Sequence, residues 1–181
     1  MRKIIVSEFL SLDGVMENPL WSMAYWNDEI AKFKSGEDWS TDALLLGRVT
    51  YDGFAQAWPT STDEGAPRIN AMPKYVVSNT LTNPTWNNSH VIRGNVIEEI
   101  TRLKQQDGKH LLLYGSGKLA QWLMRNGLVD QYSLLIYPIV LGTGQRLFAE
   151  GSPQSPLKLL NAQTFSNGVT AMVYEPERGA V

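Results

Sequence analysis

The sequence predicts an α/β protein with a mixed, mainly parallel sheet. Short apolar runs alternate along the chain with segments of helical periodicity, and this order requires parallel strands joined by crossover helices. The last two apolar runs instead flank the turn Ser166-Asn167-Gly168, which indicates a C-terminal antiparallel hairpin. The chain has 181 residues, of which 43% are hydrophobic, and this predicts one domain over residues 1–181.

Caps and breakers divide the chain into its elements. Asn27 caps the first helix, and the carboxylates of Asp28 and Glu29 favour its positive end. Pro59 stops the second helix, and Gly108 ends the third. We predict helices at 27–34, 49–58, 95–108 and 118–127, and loops at 13–21 and 60–73. We predict strands at 2–12, 42–48, 74–81, 89–94, 109–114 and 130–142, followed by hairpin arms at 156–165 and 168–176.

Charge and cysteine content exclude several function classes. The 16 basic and 18 acidic residues give a net charge of -2 without a basic run, so nucleic acid is not expected as a partner. The chain has no cysteine, which excludes disulfides, cysteine-ligated zinc and thiol catalysis. The two histidines, His90 and His110, precede strands and are not paired, so no metal site is expected. No apolar run reaches the ~18 residues of a membrane span, and no signal peptide opens the chain, which predicts a cytoplasmic protein without a membrane partner.

The stretch LLLYGSGKLAQW, residues 111–122, passes from a strand through a glycine-rich turn into a helix. A P-loop is excluded, because Leu112 and Leu119 stand where its first glycine and its Ser or Thr are required. Residues 115–120 match the dinucleotide fingerprint G-x-G-x-x-G/A, but the acidic residue expected about 20 positions later is missing. The start of a helix nevertheless binds anions through its free N–H groups. A plain connection without a ligand remains the alternative.

Two further strand exits carry groups suited to phosphates. Arg48 follows Gly47 at the start of a helix, where a guanidinium can bind a phosphate through two hydrogen bonds, and Thr50 adds a hydroxyl. Ser78 and Asn79 follow the third strand. For Arg48 and Thr50 the alternative is a surface arginine and a helix cap. For Ser78 and Asn79 the alternative is ordinary turn chemistry. Because carboxyl ends of parallel strands meet at one edge, the exits together predict a site for a dinucleotide with an extra phosphate, NADPH rather than NADH.

Five segments resemble a known family in order and spacing. They are FLSLDGVMENP, ALLLGRVTYDGF, VVSNTL, LLLYGSGKLAQWLMRNGLVDQY and YPIVLGTGQRLF. The chain resembles, from Ile4 to Tyr174, the dihydrofolate-reductase-like family typified by the C-terminal reductase domain of RibD in riboflavin biosynthesis. The resemblance implies a three-layer α/β/α fold, NADPH as cofactor and a homodimer. No His-x-Glu zinc signature of an attached deaminase is present, so the chain resembles a free-standing member.

The resemblance also implies residue roles. The helix start that takes the cofactor phosphates matches Gly47, Arg48 and Thr50. The strand exit near the 2′-phosphate matches Ser78 and Asn79. The pyrophosphate turn matches Gly115, Ser116, Gly117 and Lys118. The segment 11–21 matches the loop that covers nicotinamide and substrate. In folate-reducing members one acid on the first helix engages the pterin. Glu29 keeps the better spacing to Phe33 for this role, and Asp28 lies beside it.

The catalytic and substrate candidates each have a structural alternative. Glu29 is a candidate proton donor, with helix capping as its alternative, and Asp28 a candidate substrate contact. Asp13 in the covering loop is the second candidate donor, and an ordinary turn is its alternative. Trp21, Tyr25 and Trp26 are candidates to stack on a flat heterocycle, with packing in the core or in a dimer as the alternative. A nicotinamide cofactor supplies the hydride, so few catalytic side chains are needed.

These features predict an NADPH-dependent reductase that transfers hydride to a small heteroaromatic substrate. The substrate would be of the pterin or ribosylated aminopyrimidine type, as in a riboflavin- or folate-like pathway, so the enzyme would resemble 5-amino-6-(5-phosphoribosylamino)uracil reductase or dihydrofolate reductase. The alternative is a non-catalytic dimeric module of the same fold that binds a nucleotide or flavin-like ligand without turnover.

Overall fold

The computed structural model describes residues 1–152 and 154–177, which form an eight-stranded sheet with helices on both faces. The strands are β1 (Ile4–Ser11), β2 (Thr41–Gly47), β3 (Lys74–Val77), β4 (Ser89–Ile92), β5 (His110–Tyr114), β6 (Gln131–Tyr137), β7 (Leu157–Thr164) and β8 (Thr170–Pro176). The helices are α1 (Asp28–Ser40), α2 (Arg48–Ala57), α3 (Ala66–Ala71), α4 (Val96–Gln105) and α5 (Gly117–Arg125). Two 3-10 segments, Pro19–Tyr25 and Trp58–Thr60, lie after β1 and after α2.

The strand order is β4-β3-β2-β5-β1-β6-β8-β7. The first six strands in this order, β4 through β6, are parallel to one another. Strand β8 runs antiparallel to both of its neighbours, β6 and β7. This topology confirms the predicted fold class, a mixed and mainly parallel sheet with a C-terminal antiparallel hairpin. Because each crossover returns the chain to the same side, the carboxyl ends of β1, β2, β3 and β5 lie at one edge of the sheet.

The core lies on both faces of the sheet. Alternate side chains of a strand point to opposite faces, so Ile4 of β1 packs with Leu123 of α5, whereas Ile5 packs with Tyr51 of α2. Ile30 of α1 packs on the same face as α2, in a cluster with β6 and β8. The three layers are therefore α4 and α5, the sheet, and α1 to α3. Burial on both faces explains why β1 reads as an almost continuous apolar run.

Three predicted element ends move by four residues or more. β3 ends at Val77 instead of residue 81, and the other two changes have local reasons. α1 continues to Ser40 instead of ending at residue 34, and the ion pair between Lys34 and Glu37, three residues apart, supports the extra turns. β6 ends at Tyr137 instead of residue 142, because Pro138 has no N–H to donate to a neighbouring strand.

The predicted loop 60–73 contains a short helix, α3, which was not predicted. A proline stands in its first turn, where the missing N–H has no intrahelical acceptor to lose. Ile69 of α3 is buried in the cluster beneath α2. Ala66 is buried as well, and the burial of these two side chains supports a helix whose six residues are too few for a periodic signal.

Candidate functional site

Two strand-to-helix turns lie side by side because β2 and β5 are neighbours in the sheet. The first joins β2 to α2 at Gly47, and the second joins β5 to α5 at Gly115 and Ser116. The Gly47 amide donates to the Ser116 hydroxyl over 2.9 Å, and the Ser116 amide donates to the Thr50 hydroxyl over 2.9 Å. Two turns that are 69 residues apart are therefore fastened into one surface.

The contact between the turns depends on glycine at position 115. Gly115 has a φ of 56°, a left-handed conformation that side chains disfavour. A Cβ atom there would lie 3.2 Å from the Thr50 hydroxyl oxygen, which is the acceptor for the Ser116 amide. A side chain at residue 115 would therefore strain the turn and push it away from α2.

Neither helix start has a side-chain cap among the described residues. Ser116 is the N-cap of α5, where a serine hydroxyl ordinarily accepts from the first helical turn. Here the hydroxyl accepts from Gly47 and donates to the Tyr114 carbonyl over 3.2 Å. The N-cap of α2 is Gly47, which has no side chain. Two adjacent helix starts thus present first-turn amides and positive dipole ends suited to an anion.

Gly117 and Lys118 begin α5 and differ in their surroundings. Gly117 is buried, and a Cβ atom there would lie 2.7 Å from Gln145 Nε2 and 2.8 Å from Met16 Sδ. The covering loop after β1 therefore packs directly on the start of α5. Lys118 is exposed and adds a positive charge beside the turn.

Arg48 links the start of α2 to the exit of β3. Its Nε lies 2.7 Å from an Asp52 carboxylate oxygen one turn along the helix, and its Nη1 is 3.4 Å from the Thr80 hydroxyl. The Arg48 side chain is 40% exposed, so part of the guanidinium remains accessible. The structure therefore has Arg48 beside the exit of the third strand, as predicted.

At that exit, the side chains do not all face outward. The buried Ser78 hydroxyl accepts from the amides of Thr80 and Leu81, at 3.2 and 3.1 Å. This is the turn chemistry given above as the alternative, and it speaks against direct phosphate binding by Ser78. Asn79 and Thr80 are exposed beside Arg48. The accessible hydroxyl here therefore belongs to Thr80, which sequence reasoning missed.

Asp13 fastens the covering loop to the segment after β6. Its carboxylate accepts from the amides of Leu141 and Gly142, at 3.1 and 2.9 Å, and lies 3.4 Å from Arg146 Nη2. The Ser11 hydroxyl, which donates over 2.7 Å, and the two amides lower the pKa of Asp13 well below its usual range. A carboxyl that remains ionised at neutral pH cannot donate a proton, so this geometry speaks against the predicted donor role of Asp13.

Glu29 joins the start of α1 to the β7–β8 turn. It accepts from the Ser166 amide over 2.8 Å, from the Ser166 hydroxyl, and from Asn27 Nδ2 over 3.2 Å. The Ser166 contacts lower the pKa of Glu29, which again speaks against the predicted proton donation. Asn27 caps α1 as predicted, accepting from the Ile30 amide over 3.0 Å. Asp28 is exposed in the first turn, and its substrate contact remains a prediction.

The predicted aromatic residues form a group around Tyr137. Trp21 and Tyr25 contact the Tyr137 ring edge-on, with centroids 5.3 and 5.6 Å away, and Phe9 lies 5.5 Å away. Trp26 is 6.3 Å from Phe9 and 41% exposed. Trp21 thus has the packing role given above as its alternative, while Trp26 keeps an accessible ring face.

Two buried hydroxyls on the α1 face of β6 have no hydrogen-bond partner among the described residues. They belong to Tyr137, at the carboxyl end of β6, and to Ser133, which lies opposite Ser7 of β1. Burial raises the pKa of Tyr137 to about 12 against the lowering effect of the nearby Ser22 hydroxyl, which itself donates to the Pro19 carbonyl. A buried polar group without a partner ordinarily indicates a bound water or ligand.

A polar network between α1 and the strands was missed by sequence reasoning. Lys34 Nζ donates to the Ser7 hydroxyl over 2.7 Å and forms an ion pair with Glu37. The Tyr114 hydroxyl donates to the Asp38 carboxylate over 3.0 Å. The signal was present in β1, where the apolar run is interrupted at Ser7. A polar residue inside a strand that is buried on both faces requires a partner from another element.

Burial raises the pKa of several acids in and near this network, which favours their protonated, neutral forms. It raises the pKa of Asp38 and, together with Glu37 and Asp38, raises the pKa of Tyr114 well above its usual range. Burial also raises the pKa of Glu8, which lies on β1 close to Gly115. The Glu8 oxygen Oε1 is another buried atom without a partner among the described residues.

Comparison with known proteins assigns the fold to a family. The family model of the RibD C-terminal domain matches residues 2–171. The chain belongs to the RibD C-terminal domain family. The resemblance inferred from the five sequence segments is thereby confirmed.

Two relatives from Bacillus subtilis (strain 168) match this RibD C-terminal domain over nearly their whole length. Uncharacterized protein YyaP is 32% identical over 193 residues, covering 96% of this chain and 94% of YyaP. Uncharacterized protein YwjB is 24% identical over 173 residues, covering 93% of this chain and 95% of YwjB. The family match therefore extends beyond the isolated turns to the complete domain.

Solved structures share the fold at low sequence identity. A putative riboflavin biosynthesis protein from Shewanella sp. PV-4 has a TM-score of 0.81 at 22% identity, covering 97% of this chain and 99% of its own. A pyrimidine reductase-like protein from Corynebacterium diphtheriae has a TM-score of 0.71 at 14% identity, with coverages of 98% and 92%. A diaminohydroxyphosphoribosylaminopyrimidine deaminase/5-amino-6-(5-phosphoribosylamino)uracil reductase from Thermotoga maritima has a TM-score of 0.68 at 15% identity, and the match covers 97% of this chain but 57% of that protein.

The described part of this RibD C-terminal domain was compared with the requirements for a membrane span and for a metal site. None of its helices combines the length and apolar character needed to cross a bilayer. Across residues 1–152 and 154–177, no three His, Cys, Asp or Glu side chains are grouped as metal ligands.

Proposed function

We propose that this RibD C-terminal domain is an NADPH-dependent reductase that transfers hydride to a small heteroaromatic substrate. The observation that carries the proposal is the pair of uncapped helix starts, α2 and α5, fastened through Gly47, Thr50 and Ser116. Two anion-binding helix ends beside one another suit the two phosphates of a dinucleotide better than a single anion.

The residues at this edge fit the charge of NADPH. The uncapped amides of α2 and α5 and the exposed Lys118 would hold the diphosphate. Arg48, with the exposed Asn79 and Thr80, would hold the additional 2′-phosphate, since a guanidinium binds phosphate through a planar pair of donors. Partial exposure of Arg48 favours this role, because its contact with Asp52 is a surface ion pair that a phosphate can replace.

We place the flat heteroaromatic substrate beside Trp26, which precedes α1 and lies near Phe9 of β1. The partly exposed Trp26 ring provides a face for stacking, and the unpartnered hydroxyls of Ser133 and Tyr137 provide polar contacts. The names of the structural neighbours refer to pyrimidine reduction and riboflavin biosynthesis. We therefore propose a pterin or ribosylated aminopyrimidine as the substrate type.

NADPH supplies the hydride, and this chain orients the reactants and excludes water. The Asp13 contacts with Leu141 and Gly142 hold the covering loop against the segment after β6. Met16 of the same loop packs on Gly117, so the loop closes directly over the glycine turn. Closing a site in this way strengthens its electrostatic contacts and prevents side reactions with water.

Arg48→Ala tests the cofactor assignment. We expect the variant to bind NADPH about 10- to 100-fold more weakly, because a charge-assisted contact to phosphate contributes roughly 1.5–3 kcal/mol. Its affinity for NADH, which lacks the 2′-phosphate, should change less than about threefold. Both affinities are measured by titration of nicotinamide fluorescence.

Arg125→Ala is the matched control, because Arg125 is exposed in the last turn of α5, at the opposite end of the helix from Lys118. The proposal is wrong if the wild type does not bind NADPH at millimolar concentration, or if Arg48→Ala weakens NADPH and NADH equally. Steady NADPH consumption with a member of a panel of pterins and riboflavin precursors then distinguishes a reductase from a module that only binds.

A further inference from the structure

The Lys34 network lies one residue before the glycine turn, at the carboxyl end of β5. Lys34 Nζ is 4.2 Å from the centroid of the Tyr114 ring and 5.3 Å from that of Phe9. Tyr114 directly precedes Gly115 and pairs in register with Ser7, the residue that accepts from Lys34. The ammonium is therefore positioned beneath the surface at which the proposed cofactor would bind.

The ammonium is preorganised but not fully engaged. Within residues 1–152 and 154–177, two of its N–H groups have oxygen acceptors, the Ser7 hydroxyl and the Glu37 carboxylate. The third has only the faces of the Phe9 and Tyr114 rings. The Lys34 side chain is 12% exposed and that of Glu37 is 9% exposed, so the ion pair is largely buried but still reaches the solvent. An acceptor atom of a ligand can take the place of a ring face as the third partner of the ammonium.

Lys34 is better placed than the other candidate acids to donate a proton to a ligand on the α1 face of the sheet. Glu8 alternates with Ser7 along β1, so its side chain points to the opposite face, with Val6 and Leu10. Asp13 and Glu29 are held as carboxylates by the contacts described above. The Tyr114 hydroxyl already donates to Asp38. The charged and titratable groups that face Lys34 are Glu37 and Asp38 from its own helix and Tyr114 from β5, while Glu8 of β1 acts on Lys34 only through its charge.

We propose that Lys34 is a catalytic residue that binds the acceptor heteroatom of the substrate and protonates it, an inference that rests on the reductase function proposed above. As hydride adds to a ring carbon of a C=N or C=O bond, the π electrons of that bond move to the nitrogen or oxygen. The Nζ–H bond of Lys34 breaks as the new N–H or O–H bond forms. Lys34 is left as a neutral amine, which regains a proton from water. Ser7 and Glu37 are positioning residues that fix Nζ.

Ligand ionisation tests this proposal without turnover. Lumazine, a flat dioxopteridine, loses a proton near neutral pH with a change in its absorption spectrum. With NADP⁺ present, we expect wild-type protein to lower the apparent pKa of bound lumazine by about one unit, because a nearby ammonium favours the anion. The shift should disappear in Lys34→Met and remain in Lys34→Arg. Lys32→Met, which changes an exposed lysine on the same helix, should behave like the wild type.

Lys34→Met leaves the Glu37 carboxylate without its cation, which itself destabilises the fold. The double variant Lys34→Met/Glu37→Gln removes both charges, and it should retain the wild-type circular dichroism spectrum and NADPH affinity while losing the lumazine shift. For any substrate that the wild type reduces, we expect kcat to fall about 100-fold or more in both variants, the usual size of a general-acid contribution.

The outcomes separate this proposal from the proposed function. If NADPH binds but wild type does not bind lumazine at millimolar concentration, or if the pKa shift persists in the double variant, the assignment of Lys34 is wrong. If wild type does not bind NADPH, the proposed function fails instead, whatever the lumazine titration gives.

Discussion

Lys74 shows how a single residue acquires unusual chemistry from its surroundings. Its side chain begins β3 and has no exposed surface. The ammonium donates to the carbonyls of Asn70 and Asn87, at 2.5 and 3.0 Å, and lies 4.2 Å from the Trp86 ring centroid. Burial lowers the pKa of Lys74 to about 8. Neutral acceptors and a ring face hold this charge, but they do not replace its hydration fully.

This pKa predicts a pH-dependent contribution to stability. An unfolded chain releases the Lys74 proton near pH 10.4, about two units above the folded chain, so between these values the unfolded state binds more protons. The free energy of unfolding should therefore rise with pH from about 8 to 10 in wild type relative to Lys74→Met. Urea titrations of both proteins at pH 7.5 and pH 10 measure the difference. A constant difference would contradict the assigned pKa.

At the scale of elements, the candidate site is a product of strand order. The β2–α2 and β5–α5 connections are distant in sequence, yet β2 and β5 are adjacent, so their turns share hydrogen bonds. Ser116 exchanges its capping role for this contact, which leaves the start of α5 without a side-chain cap. The same contact therefore both stabilises the turn and keeps the proposed phosphate site available.

Two substitutions test the coupling of these turns. Ser116→Gly removes the hydroxyl and tolerates the φ of 57°, and Thr50→Val removes the acceptor of the Ser116 amide. Each should lower the free energy of unfolding by about 1 kcal/mol, since it leaves an amide unpaired. Each should also weaken NADPH binding about tenfold, and the double variant should lose less than the sum of the two.

Thr101→Val is the control for this pair, because Thr101 makes its hydrogen bond to Ile97 within the exposed part of α4. It should leave NADPH affinity unchanged. Strict additivity of Ser116→Gly and Thr50→Val, measured by urea unfolding and fluorescence titration, would show that the two turns act independently.

At the scale of the whole molecule, the sheet is asymmetric. Its parallel half is covered by helices on both faces, whereas the C-terminal hairpin places β7 at one end with seven of its eight residues exposed. Leu159 is 51% and Leu160 43% exposed, and the register between β7 and β8 shifts at this point. Long, exposed, apolar edge strands favour pairing with another chain. We propose β7 as the contact of the predicted homodimer.

Leu159→Lys tests this location, because a charge on an edge strand opposes strand addition. We expect light scattering to show a dimer for the wild type and a monomer for the variant at micromolar concentration. Ile97→Lys changes an equally exposed apolar residue on α4 and should not alter the oligomeric state. A monomeric wild type, or a variant that remains dimeric, would refute the β7 contact.

The sequence by itself determined the fold class and the positions of the glycine turns. Alternation of apolar runs with helical periodicity, and the turn at residues 166–168, are local signals, and they predicted the parallel sheet and the terminal hairpin. The resemblance of five segments to the RibD family was also readable, because it depends on residue order alone. The end of α2 before Pro59 and the start of α1 at Asn27 followed from backbone chemistry.

Only the tertiary structure decided which polar groups are available. Asp13 and Glu29 were reasonable proton donors until loops distant in sequence supplied Leu141, Gly142 and Ser166 as partners. In the sequence, Lys34 is only the last residue of the first predicted helix, whereas the fold places Ser7 of β1 and Tyr114 of β5 against its ammonium. The physical reason is that hydrogen bonds and burial, which set protonation and accessibility, arise from contacts between residues far apart in the chain, and no local pattern encodes them.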